Sequence, residues 1–199
     1  MTPDEVRDQL NRAAQRIDAQ RNLTPQAKRT MLARAFIAAR NQLDELKAGE
    51  EKRIHREREQ LERKLFGVHG FAPDPTAVVA RRDANDRASQ YQTPKEAAQA
   101  MRRAQRDGDH ILAKAIAARA ADWSGDPTWA AVVDQYVADK PAEAETLQAM
   151  RQLPDTDDAV WKLSKAMEYG IAAPSGLGEL HPNQLDMLAQ QPLDGDQAA

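Results

Sequence analysis

Residues 24–67 read TPQAKRTMLARAFIAARNQLDELKAGEEKRIHREREQLERKLFG. Thr24-Pro25 is a helix start: proline's fixed φ suits the first helical position, and the threonine hydroxyl can accept an orphan backbone N–H. From there to Gly67 the only breaker is Gly49, so the pattern predicts one helix over 25–66, about 63 Å long. Leu32, Phe36, Ala39, Leu43 and Leu46 step by 4, 3, 4 and 3 residues, a narrow seam of the coiled-coil kind. Past Gly49 the seam thins to Ile54, Leu61 and Leu65. Eleven of the 15 residues from Glu50 to Lys64 are charged, with Glu and Arg interleaved at helical spacing. That half reads as a solvated helix. Its glutamates cancel the field a nucleic-acid helix would need, so nucleic acid is an unlikely partner, kept as the alternative reading through the Arg-rich arm.

Upstream, Thr2-Pro3-Asp4-Glu5 is a capping box that opens a helix to about Arg21, with Val6, Leu10, Ala13, Ala14 and Ile17 at helical spacing. Folded back as a hairpin, this helix covers part of the seam but spans only about 30 Å. The expectation is therefore that Leu32, Phe36, Ala39, Leu43, Leu46, Ile54 and Leu61 form an interaction surface. Its partner would be a second copy or another structural protein.

Gly67 to Pro75 holds two Gly and two Pro in nine residues, and 67–76 reads as a hinge. Beyond it, Asp74-Pro75 can cap a helix to about Ser89, with Val78, Val79 and Ala88 as a weak apolar face. Thr93-Pro94-Lys95-Glu96 is another capping box, opening a helix to about Arg106. Asp109, Pro127 and Pro141 start three more, and Thr156 or Asp157 a last one carrying Val160, Trp161, Leu163 and Met167 to near Gly170. All three Trp and all three Tyr lie between 91 and 169, which predicts a bundle over 77–170 with Ile116, Trp129, Val133, Tyr136, Leu147 and Leu163 in its core. The tail, 171–199, has four acidic and no basic residues and six Pro or Gly, and reads as flexible, with one short amphipathic turn after His181-Pro182.

Composition agrees. Of 199 residues, 37 are Ala and only 5% are aromatic, so thin helix packing is affordable and a thick core is not. The fold class expected is all-α: an N-terminal helical hairpin arm (1–66), hinge, bundle of short antiparallel helices, and acidic tail. The net charge of -3 splits into +4 over residues 1–70, -3 over 71–170 and -4 over 171–199. With no Cys, disulfides and thiolate metal sites are excluded. Met1 to Glu5 lacks the basic and apolar regions of a signal peptide, and no run approaches the ~18 apolar residues of a membrane span. A cytoplasmic location, in a host cell or within a virion, is the expectation.

No catalytic, cofactor or metal site is legible. His55, His69, His110 and His181 are scattered, and Asp155-Thr156-Asp157-Asp158 lacks the central Gly and trailing Glu of a calcium loop. Gly176-Leu177-Gly178 has no strand before it to make a phosphate cradle. The expectation is a protein that is not an enzyme.

Two resemblances follow. Ala97, Ala98, Met101 and Ala104, then Gly108-Asp109, then Leu112, Ala113, Ile116, Ala117 and Ala120, resemble a tetratricopeptide-type helix pair without a recurring period. The wider layout is a capped, charged helical arm, a hinge, and an Ala-rich bundle beginning at Tyr91-Gln92-Thr93-Pro94-Lys95-Glu96-Ala97, then an acidic tail. It resembles the small helical structural or assembly proteins of actinobacterial tailed phages. That resemblance implies a scaffold, minor capsid or connector-region role with coat or portal protein as partner. Scaffolds commonly bind coat through a basic C-terminal helix pair; the acidic tail here would move that element to the N-terminal arm.

Overall fold

The computed structural model describes residues 1–67, 74–123, 125–178 and 180–193. Among them are nine α-helices and no strand: α1 (Pro3–Ala19), α2 (Pro25–Phe66), α3 (Pro75–Ser89), α4 (Pro94–Arg106), α5 (His110–Ala121), α6 (Pro127–Val137), α7 (Pro141–Gln152), α8 (Ala159–Glu168) and α9 (Pro182–Gln190). Most of the expected hinge, His69 and the last six residues of the tail lie outside the described residues.

Capping sets these boundaries. Thr2 and Thr93 make full capping boxes with Glu5 and Glu96, and Thr24 Oγ1 accepts the Ala27 N–H at 3.1 Å. Asp74, Asp109, Asp126 and Asp158 each accept a first-turn N–H of α3, α5, α6 and α8. The cap of α8 is thus Asp158, not Thr156 or Asp157. α1 stops at Ala19 rather than Arg21 because Gln20 turns to an extended conformation.

The chain divides into two compact units, and not at the expected hinge: Met1–Ile54 with Asp155–Ala199, and His55–Pro154. The division falls inside α2, at the start of its charged half.

In the second unit α5 packs against α3, α4 and α6. Ala97, Ala100, Ala104, Ala113, Ala117 and Ala120 are buried at the contacts, where small side chains let the helices approach closely. Ile116, Trp129, Val133, Tyr136 and Leu147 are buried in the same core. Leu65 of α2 is buried with them, and Leu61 is half-buried against them. Val79, by contrast, is exposed; of the expected face of α3 Ala88 is buried, joined by Ala84.

The first unit corrects two expectations. Leu163 is not bundle core: it is 64% exposed and α8 belongs to the first unit. Nor is the acidic segment loose over its described residues, 171–178 and 180–193. Leu177, Leu185 and Leu188 are buried in one core with Val6, Leu10 and Ile17 of α1 and Leu32, Phe36, Ala39 and Leu43 of α2. The seam thus gains cover from the far end of the chain, worth ~1.5–3 kcal/mol per large side chain buried. The polar contacts agree. Arg34 donates from Nε to Ala189 O at 2.7 Å and from Nη2 to Gln191 O at 2.8 Å, satisfying carbonyls at the end of α9. Arg7 does the same at the end of α8, donating to Glu168 O and Gly170 O. Part of the basic excess of residues 1–70 is therefore spent on the C-termini of α8 and α9.

Candidate interaction surface

The seven residues expected to form an interaction surface do not form one. Leu32, Phe36, Ala39 and Leu43 are buried in the first unit's core and Leu46 is half-buried against it. Ile54 is buried, and Leu61 belongs with the second unit's core. The seam is interior because α1 is only one of its covers. The rest comes from Leu177, Leu185 and Leu188, more than 130 positions along the chain.

A row of exposed apolar side chains lies elsewhere, on α8; Val79, Ile111, Trp123 and Met187 are also exposed, outside that helix. This helix has no buried residue. Val160, Leu163 and Met167, spaced i, i+3 and i+7, share one face and are 74%, 64% and 75% exposed. Ala159, Ser164 and Ala166 flank them, so the face carries no charge.

The opposite side of α8 is held by a polar network. Lys165 Nζ lies 2.8 Å from Glu50 Oε2 on α2 and 2.7 Å from Glu168 Oε2, while Tyr169 Oη donates to Glu50 Oε2 at 2.9 Å. Lys165 also sits over the rings of Trp161 and Tyr169, 5.8 and 5.7 Å from their centroids. Its hydrogen bonds to Glu168 and then Glu50 push its pKa up to about 12. Burial alone would raise the Glu50 carboxyl. The hydrogen bonds from Lys165 and Tyr169 and the nearby positive charge outweigh it and hold Glu50 below the usual carboxylate range. Burial, then the bond to Glu50, raises Tyr169. These contacts fix which way α8 faces, and they leave its apolar face turned outward.

A second feature of the same unit is concave. Between α1 and α2 runs a groove of about 790 Å³. Its floor is Val6, Leu10, Ala13, Ala35 and Ala39, and its rim includes Gln9, Arg12, Arg16 and Gln42. No acidic residue lines it. On this flank Ala13, Ala19, Ala35, Ala38 and Ala39 leave space beside Val6 and Leu10.

The second unit has a cavity of about 460 Å³ lined by Phe66, Arg81, His110, Ile111 and Lys114 among others. Lys114 Nζ donates to Gly67 O at 2.8 Å, and burial, then the charge of Arg81, lowers its pKa. This bond ties α5 to the chain just past the end of α2. Gly67, in the lining, is the last described residue before 68–73. Among the described residues no three His, Asp or Glu are grouped to hold a metal, and no helix is long and apolar enough to cross a membrane.

The chain matches no family model, no curated protein and no solved structure.

The α8 face was partly legible. At about 3.6 residues per turn, Trp161 falls well away from Val160, Leu163 and Met167, so the helix has two apolar sectors. Of these four residues only Leu163 is expected in the bundle core, and it falls in the outward sector.

Proposed function

We propose that this protein is non-enzymatic and works by protein–protein contact, with the outer face of α8 as its docking surface. One observation carries the reading: three large apolar side chains at helical spacing stand in solvent on a helix whose other side is locked to Glu50. Clustered exposed apolar surface of this kind marks interaction sites. In its particular form the reading is a structural or assembly component of a tailed-phage particle: scaffold, minor capsid or connector-region protein. What supports that form is the resemblance of the capped, charged arm and Ala-rich bundle.

The experiment is incorporation. Epitope-tagged chain is supplied during growth of a phage whose genome carries the gene, and purified particles and their precursors are probed for it. The expected result is its presence in one of these, lost on combining Leu163→Asp with Met167→Asp. Absence from both would remove the particle role. Retention of the double variant at wild-type level would remove α8 as the surface.

A further inference from the structure

Resting on the reading of α8 as a docking surface, we infer that its partner is a second copy of this chain, which takes the Val160–Leu163–Met167 face into the groove between α1 and α2. The two surfaces match in shape. One is a convex row of large side chains with small ones beside it. The other is a concave floor where Ala13, Ala35 and Ala39 leave room beside Val6 and Leu10. They match in length as well: the 10 residues of α8 span ~15 Å and the 17 of α1 ~25 Å.

Charge also matches. The groove presents Arg12 and Arg16 and no acidic group. Asp155, Asp157 and Asp158 precede α8 and Glu168 ends it, all four exposed; Lys162 pairs with Asp157 and Lys165 with Glu168, so the balance here stays acidic through Asp155 and Asp158. Pairing α8 with α8 of another copy fails on this count. Antiparallel pairing sets the three aspartates beside Glu168 of the other copy, and parallel pairing sets aspartates beside aspartates. Such a pair would also bury only one short helix face on each side, well short of the ~800 Å² per partner of a stable interface. Docking into the groove adds the surfaces of α1 and α2.

Within one copy the two cannot meet. Arg7, which holds the carbonyls of Glu168 and Gly170, lies about half a turn round α1 from Arg12 and Arg16. The end of α8 is therefore tied to the flank of α1 away from the groove. The contact is head-to-tail, so each added copy leaves a free face and a free groove, and assembly proceeds to a ring or a filament.

The test uses two full-length variants, each checked for an unchanged melt. Leu163→Asp with Met167→Asp spoils the face; Arg12→Glu with Ala38→Glu spoils the groove at two exposed positions. Sedimentation runs from micromolar to submillimolar concentration. The wild type should grow past a dimer, each variant alone should associate about tenfold or more weakly, and an equimolar mixture should form a one-to-one dimer and stop. A groove variant that still self-associates like the wild type would overturn the groove as the receiving site yet leave α8 as a docking surface. A wild type that stays monomeric throughout would overturn the second copy as occupant. Loss of the face variant from particles would then still support the broader reading, and its retention there would remove both.

Discussion

A β-carbon added to Gly176 would lie 2.9 Å from Leu32 Cδ2, although the two residues are 144 positions apart. The segment after α8 runs so close over the α2 seam that any side chain there must push the end of Leu32 aside. Gly176→Val should therefore destabilise the protein by ~1–3 kcal/mol, the range for overpacking. Leu32→Ala is costly by itself, but its cost should be smaller in the Gly176→Val chain than in the wild type, because the smaller side chain makes room for the valine. Denaturant unfolding of the single and double variants measures both.

The exposure of α8 makes a contrast in stability. Leu163→Asp should change the unfolding free energy by no more than ~0.5 kcal/mol. Leu147→Ala, buried in the second unit, should cost ~2–5 kcal/mol. Equal losses would show that Leu163 is covered.

Glu50, Lys165 and Tyr169 make a pH-dependent contribution of known sign. The Glu50 carboxyl is depressed below its ordinary 4.5, so its stabilisation is present above that value and lost as pH falls through the lower, folded one. Lys165 is raised from 10.5 to about 12, so its share is present below 10.5 and lost as pH climbs through 12. Glu50→Gln should cost ~1 kcal/mol near neutral pH. The variant and wild-type stability curves should converge in acid. A constant gap down to strong acid would exclude the charge of Glu50 as the cause.

Thr30 on α2 is fully buried, and its Oγ1 has no hydrogen-bond partner among the described residues. Thr30→Val keeps the shape and removes the unpaired hydroxyl, so it should stabilise by ~1 kcal/mol. A rise in the thermal midpoint reports it.

The unit boundary predicts which fragment folds. Residues 55–154 should melt cooperatively alone, and Trp129→Ala within them, where the indole is 7% exposed, should cost ~3–5 kcal/mol. Residues 94–170 should not, because that fragment lacks Ala84 and Ala88 of α3 and Leu65 of α2 and adds α8, which buries nothing.

The sequence by itself determined the helices. Proline at the first helical position and a Thr, Asp or capping-box partner beside it act within four residues, so their reading needs no tertiary knowledge. That is why α2 falls at Pro25–Phe66, as its pattern predicts, and why no strand occurs among the described residues. The seam was equally plain as periodicity. What periodicity does not carry is the identity of the cover. Leu177, Leu185 and Leu188 sit in a Pro- and Gly-rich acidic stretch whose composition reads as loose, and only their burial on α2 gives it a place. α8 shows the same division of labour. Local pattern makes it a helix with two apolar sectors. The choice between them falls to Glu50, 115 residues from Lys165, because a charge-assisted bond and the aromatic rings beside it hold one side down. Burial is a competition among all the apolar surfaces of a chain, and its outcome is written in no single segment.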